Sequence, residues 1–289
     1  MTAGSAGEEA GTLTVKQAAH RLGVHYMTAY RYVRQGRLPA RRRGTTWAIR
    51  DRDVEAFATD RLDAAYGPDG VDWSSRLRPS LVAGDERAAW WVVEASLAAG
   101  VSPPRCCTEV IGPAVAAVGE AWAAGTASVA DQHLASAVAE RLVVRLGSRF
   151  RPAGQTRGTV VVGAPPGEHH ALAPRILANV VRWQRFAVLE LGTDVPPEAF
   201  VVATGRASRC LAVALSLTRV AHLPAAADVC REVAAAGVAV VLGGQAVRNP
   251  EVAAVAGASH WAPSAPALVE VLEDLVGRSG PAGPGPGPA

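Results

Sequence analysis

From residue 157 onward, short apolar runs alternate with longer stretches in which apolar residues recur every three or four positions. The runs fall at 159–164, 187–191, 210–215, 238–242 and about 259–262, and the helical stretches begin near His170, Pro197, Pro224, Pro250 and Ala265. Runs this apolar read as strands buried on both faces, and a helix between each pair makes them parallel. Residues 157–279 are therefore expected to form a doubly wound, five-stranded parallel sheet.

Residues 80–152 keep the helical period and are rich in alanine. One helix is expected over 85–99; Ser102 is placed to cap a second, with Pro103 and Pro104 in its first turn. Pro113 should end or kink it, leaving a third piece at 114–124, and Ser128 begins a fourth helix reaching about residue 150. This is a small helical bundle. Residues 62–79, with Gly67, Pro68, Gly70 and Pro79, lack periodicity and read as a linker. Residues 1–11 read as an unstructured leader and 280–289 as a disordered Gly/Pro tail.

Between leader and linker, Thr14 caps a short helix with Val15, Ala18, Ala19 and Leu22 on one face, and Gly23 stops it. A second helix over about 25–35 buries Met27, Tyr30 and Val33 and turns Tyr26, Thr28, Ala29, Arg31, Tyr32 and Arg34 outward. Two strand-like stretches around a glycine turn follow over 38–49, and Asp51 caps a helix through Phe57. Helix, turn, helix and a small basic wing over 12–61 predict a winged helix-turn-helix domain, whose second helix enters the major groove.

Charge supports that reading. Residues 12–61 carry eleven cations against four anions, a net +7, so the rest of the chain carries −4 within an overall +3. Arg31, Arg34, Arg41, Arg42 and Arg43 are the candidates for phosphate or base-edge contacts, and Tyr26 and Thr28 for base contacts. One such domain spans few base pairs, so a homo-oligomer, dimer or tetramer, on repeated half-sites is expected. Cys106, Cys107, Cys210 and Cys230 form no CxxC pair and read as reduced thiols; no apolar run reaches the roughly 20 residues that span a membrane. A cytoplasmic protein is expected.

The loop 167–173 carries the sharpest chemistry. In open α/β sheets ligands bind beyond the carboxyl ends of the strands, so His170 after the first strand faces a ligand crevice. Neutral imidazole is a common metal ligand, and Glu168 is placed to fix its tautomer through the other ring nitrogen. A polar loop with a carboxylate near a helix N-terminus is the plainer alternative.

Further motifs point one way. Trp122, nine residues, then Gln132 and His133 closely resembles the Trp-x9-Glu-His element of the helical domain that caps cobalamin in B12-binding proteins. Glu168-x-His170-x-x-Ala173 looks like that family's (Asp/Glu)-x-His-x-x-Gly motif, whose histidine is the lower axial ligand of cobalt. Gly192, Asp194 and Val195 resemble its turn after the second strand, Gly243 and Gly244 its glycine pair, and Ser216 its serine beside the nucleotide tail. The glycines would let a flat corrin and its tail approach the backbone.

With the wing in front, the order over 12–279 resembles the CarH/LitR family of cobalamin-dependent, light-responsive regulators. That resemblance implies a MerR/excisionase-type DNA-binding domain, a helical cap and a Rossmann-like, flavodoxin-like cobalamin domain. It implies adenosylcobalamin as cofactor, double-stranded DNA as partner, transcriptional repression and no enzymatic activity. Three departures stand out: Ala173 replaces the motif glycine, Gln132 the glutamate, and Ala123 the histidine that takes cobalt after photolysis. They leave open a regulator whose altered pocket takes another ligand or only mediates assembly; a corrinoid methyl carrier is the remaining alternative.

Overall fold

The computed structural model describes residues 12–21, 26–34, 38–44, 46–54, 57, 71–149 and 155–278. The leader, the expected stops at Gly23 and Gly36, residues 62–70 of the expected linker and the 280–289 tail lie outside the described residues. The chain divides into two compact units between Val71 and Asp72.

The first unit contains β1 (Thr12–Thr14), α1 (Val15–Arg21), α2 (Tyr26–Arg34), β2 (Arg41–Arg43) and β3 (Thr46–Arg50). Thr14 and Gln17 start α1 as a reciprocal capping box: the Gln17 N–H donates to Thr14 Oγ1 at 3.3 Å, and the Thr14 N–H donates to Gln17 Oε1 at 2.9 Å. Val15, Ala18 and Ala19 of α1 meet Val33, Leu38, Ile49, Val54 and Phe57 in a small core. Ala29 and Tyr32, expected on the outer face of α2, belong to that core. Ala29 is fully buried, and the Tyr32 ring tilts against Phe57 with centroids 5.2 Å apart. Val33 is buried and Tyr30 packs against the core as expected, so Ala29 and Tyr32 widen the predicted stripe; the Met27 side chain is outside the described set. β2 and β3 form an antiparallel ribbon around Gly44, whose φ of 61° suits glycine.

In the second unit the bundle starts earlier than expected. Residues 73–79, read as part of a linker, belong to helix α3 (Trp73–Val82). Asp72 caps it, accepting the Ser75 N–H at 2.9 Å and the Ser75 hydroxyl at 2.6 Å, and Leu77 and Leu81 are fully buried. Pro79 lies inside this helix, at a cost on the order of 3 kcal/mol, and the burial of those two leucines offsets it. α4 (Glu86–Ala98) follows, capped by Asp85. The Ser102 side chain makes no cap bond to the turn at Pro103–Arg105, a correction to its expected role. The expected third piece is present, but the change of helix falls just before Pro113. A π-helical segment, Cys106–Ile111, precedes it, so Pro113 sits in the first turn of α5 (Gly112–Ala123). There its missing N–H costs little. α6 (Val129–Arg149) completes the bundle. Burial pushes the thiols of Cys106 and Cys107 up to about 11 and about 12, so both stay protonated core residues near neutral pH.

The sheet contains β4 (Thr159–Gly163), β5 (Ala187–Gly192), β6 (Cys210–Ser216), β7 (Ala239–Gly243) and β8 (His260–Ala262), all parallel, in the order β5-β4-β6-β7-β8. Helices α7 (Leu172–Trp183), α8 (Pro197–Arg206), α9 (Leu223–Ala235) and α10 (Pro250–Val255) make the four connections, and α11 (Ala265–Arg278) follows β8. This is the flavodoxin-like order, with the topological switch between β4 and β6. Two cores cover the faces, one around Val161, Phe200, Val213 and Val229, the other around Val160, Ala178, Phe186 and Leu272. The bundle packs on α7: Leu172 and Ile176 extend its core, and Asn179 Nδ2 donates to the Val143 carbonyl at 2.7 Å. None of the described helices is long and apolar enough to cross a membrane.

Candidate functional site

The loops after β4 and β5 are stitched together at the carboxyl end of the sheet. The Ala164 N–H donates to the Gly192 carbonyl, and Val195 N–H returns a bond to the Ala164 carbonyl, at 2.9 and 3.1 Å. Gly167 N–H donates to the Asp194 carboxylate at 2.8 Å, and Asp194 N–H to the Glu168 carbonyl at 3.0 Å. Asp194 itself stands at φ 54°, a left-handed position that Asp tolerates, and Gly192 at 87°. Gly167 has φ 80°, and a Cβ there would lie 2.8 Å from Nδ1 of His222.

This frame delivers Glu168 into the switch point, where it is 1% exposed. One carboxylate oxygen accepts the N–H groups of Thr218 and Arg219, at 2.8 and 3.1 Å, from the loop after β6. The other accepts His170 N–H at 3.2 Å and His170 Nδ1. Burial would push the Glu168 carboxyl up, but the bonds from the His170 ring and from these N–H groups outweigh it and hold it below the ordinary value. A carboxylate kept ionised only accepts, so Nδ1 donates to it, and Nε2 lies on the other side of the half-exposed ring. His169 is exposed beside it. Among the described residues no three His, Cys, Asp or Glu side chains converge as a metal cage.

Ser216 ends β6, 2% exposed, and pairs in register with Gly243. Gly243 and Gly244 have a reason of their own: Cβ atoms there would fall 2.2 Å from the Ala262 carbonyl oxygen and 2.3 Å from that of Leu217. These glycines let the ends of β6, β7 and β8 close on each other; their Cβ space is taken by backbone. Ala173 is half-buried in the first turn of α7.

On the bundle, Trp122 is 49% exposed near the end of α5, and His133 is exposed near the start of α6. Ser128 and Asp131 cap α6 reciprocally, and Gln132 Nε2 donates to the Ser136 hydroxyl at 3.3 Å. No hydrogen bond among the described residues joins Trp122, Gln132 or His133 to Glu168 or His170. The sheet-end cluster is assembled; the bundle candidates stand apart from it. Thr218, Arg219 and His222 were not among the candidates. The first two act through backbone N–H groups, which any residue type supplies.

In the first unit Arg34 of α2 and Arg41 and Arg42 of the wing are exposed. Arg41 pairs with Ala48, Arg42 with Trp47 and Arg43 with Thr46, so alternation sets Arg42 on the Trp47 side of the ribbon and Arg41 on the other. Tyr26, Thr28 and Arg31 lie on α2 and Arg43 on β2, but their side chains are outside the described set.

Comparison with known proteins follows the same division. Residues 12–61 match a helix-turn-helix domain, and residues 73–146 and 158–267 match two B12 binding domains. Trimethylamine corrinoid protein 1 of Methanosarcina acetivorans is 31% identical over 124 residues, 40% of this chain and 56% of its own length. Trimethylamine corrinoid protein 2 of Methanosarcina mazei is 30% identical over 131 residues, 44% of this chain and 60% of its own. The chain thus spans less than two thirds of these curated relatives. The solved monomethylamine corrinoid protein of Methanosarcina barkeri shares the fold, with a TM-score of 0.60 at 18% identity, covering 69% of this chain and 96% of that one.

Proposed function

The chain is a helix-turn-helix domain joined to a two-part B12-binding region, the CarH-like order, and from that premise we propose a transcriptional regulator of double-stranded DNA controlled by cobalamin. In this reading it is a cytoplasmic repressor, an oligomer without catalytic activity, and adenosylcobalamin is its ligand.

The observation that carries the reading is the buried Glu168 carboxylate fixed on His170 Nδ1. A single imidazole suits a metal whose remaining positions a macrocycle already fills. Two further observations fit a flat corrinoid. A Cβ on Gly192 would meet nothing within 4 Å, so the floor beside the loop is open. Trp122 offers a half-exposed indole on the bundle, a flat apolar surface of the kind a ring system covers. When bound, cobalamin would supply a cobalt centre that His170 could ligate and a light-sensitive cobalt–carbon bond.

The chain's own part is positional. Glu168 holds the ring tautomer and its heading, Asp194 holds the turn that aims Glu168, and Trp122, Gln132 and His133 cap the opposite face. Ala123 has no nitrogen to offer beside Trp122, so a donor to the cofactor from that position would be missing. On DNA, Arg34, Arg41 and Arg42 neutralise phosphates and α2 reads the major groove.

A corrinoid carrier protein is the second reading, favoured by the corrinoid relatives; it leaves the helix-turn-helix domain without a role. One experiment separates them. Purified protein is titrated with adenosylcobalamin in the dark, and the absorption spectrum, sedimentation mass and affinity for its DNA are followed before and after illumination. The regulator reading expects retained corrinoid, a rise to dimer or tetramer mass and tighter DNA binding. DNA affinity that is the same with and without bound corrinoid overturns it in favour of the carrier, and failure to retain corrinoid overturns both.

A further inference from the structure

We propose that Asn179 and Gly147 form a joint that couples the seating of the bundle to the His170 loop, which makes Asn179 a positioning residue for the corrinoid. The inference rests on the cobalamin reading and adds to it a mechanical link between the two halves of the site.

Helix α7 begins two residues after His170, so a shift of α7 carries the imidazole with it. Leu172, Ile176 and Asn179 are spaced by four and three along α7 and form one stripe. All three meet the bundle. Leu172 and Ile176 pack against its core, and Asn179 Nδ2 donates to the carbonyl of Val143 on α6. A carbonyl has two lone pairs, so Val143 can keep its helical bond and accept this one as well.

Gly147, one turn further along α6, is what permits the approach. A Cβ there would lie 2.3 Å from Asn179 Oδ1 and 2.8 Å from its Cγ and Nδ2. Any larger residue forces Asn179 to swing away, breaking the bond to Val143, or forces the two helices apart. Between the joint and His170, Arg175 of α7 faces Glu140 of α6 at 3.7 Å, a looser electrostatic tie in the same seam.

The same helix α6 carries Gln132 and His133 near its start. From His133 to Gly147 the helix is about 21 Å long at 1.5 Å per residue, so a tilt of about 10° at the joint moves the far end by roughly 4 Å. That is enough to lose a contact between those residues and a ligand held at His170.

The test uses the full-length protein with hydroxocobalamin as the probe, in Gly147→Ala, Asn179→Ala and the double variant. Each single variant should weaken hydroxocobalamin binding by about two- to thirty-fold, the range of remote couplings, with far-UV circular dichroism unchanged. The double variant should bind no worse than Asn179→Ala alone, because the clash partner is gone. In the ligand-free protein, amide exchange should rise in Gly147→Ala along 143–147 and 172–183. Wild-type affinity in Gly147→Ala, or losses that simply multiply in the double variant, overturns the coupling while the cobalamin reading stands. Failure of the wild type to bind overturns both. Should Gly147→Ala not fold, Asn179→Ala decides alone: unchanged affinity there overturns the joint.

Discussion

Glu168 holds His170 by Nδ1, leaving Nε2 on the far side of a half-exposed ring. The carboxylate is almost wholly buried, yet four N–H groups compensate it, and the imidazole it orients is half exposed. The pair is built to present one nitrogen at a fixed heading.

His170→Ala should abolish retention of hydroxocobalamin on gel filtration, because the axial donor is gone. Glu168→Gln keeps the size but loses the charge; it should weaken corrinoid affinity about 10- to 100-fold, as outer partners of metal ligands do. Equilibrium dialysis checks both. Retention by His170→Ala equal to wild type would take the residue out of the ligand role.

The acid stability curve should carry the mark of Glu168. Its folded pKa lies below the ordinary 4.5, so its contribution to stability is complete above that value and is lost as pH falls through the lower folded one. Denaturant midpoints measured downward from pH 5 should fall more steeply in the wild type than in Glu168→Gln. Parallel curves would mean that the carboxylate is not held ionised.

Gly167→Ala should destabilise the sheet unit by more than about 1 kcal/mol, since it combines a positive φ with a ring in the way. Pairing it with His222→Ala should recover the part due to the ring, which a urea titration of the two variants reads. No recovery would place the whole cost in the backbone.

Replacing Arg41, Arg42 and Arg43 together by Gln should weaken DNA binding and flatten its salt dependence by up to about three counterions, at roughly 0.9 each. Fluorescence anisotropy over a salt series gives the slope. Because Arg41 and Arg42 leave the ribbon on opposite sides, a loss of one counterion unit in place of three would still seat one side of the wing on phosphate. An unchanged slope would remove the wing from the DNA.

Ala123→His should restore a nitrogen donor beside Trp122. After illumination of adenosylcobalamin-loaded protein, the variant should show an absorption spectrum distinct from that of the wild type treated alike. Identical spectra would mean that position 123 does not face the cofactor.

Much of this was legible in the sequence because its signals are local. The five strands are continuous apolar runs, and Glu168 and His170 lie two residues apart on a loop whose place the runs define. What escaped was of two kinds. Pro79 and the glycines before it outweighed the spacing of Trp73, Leu77 and Leu81, although Asp72 with Ser75 is a helix start by side-chain chemistry alone. On α2, the outward placement expected of Ala29 and Tyr32 fails because a nine-residue helix shows only about two and a half turns of pattern, and small or amphipathic residues fit either face. The Thr218 and Arg219 contacts had no signature at all, because an amide N–H belongs to every residue except proline. Gly147 and Asn179 are likewise ordinary in sequence and meaningful only once α6 lies on α7.

The bond from Thr218 to Glu168 spans 50 residues of sequence, across the pairing of β4 with β6. Such distant parallel pairings form slowly, because the closure entropy of the intervening chain must be met first. Until β6 docks, Glu168 has lost neither its water nor its freedom, and His170 has no fixed heading. The heading of the imidazole is therefore timed by the sheet: a chain ending before Thr218 has Glu168 and His170 but lacks two of the N–H groups that hold the carboxylate.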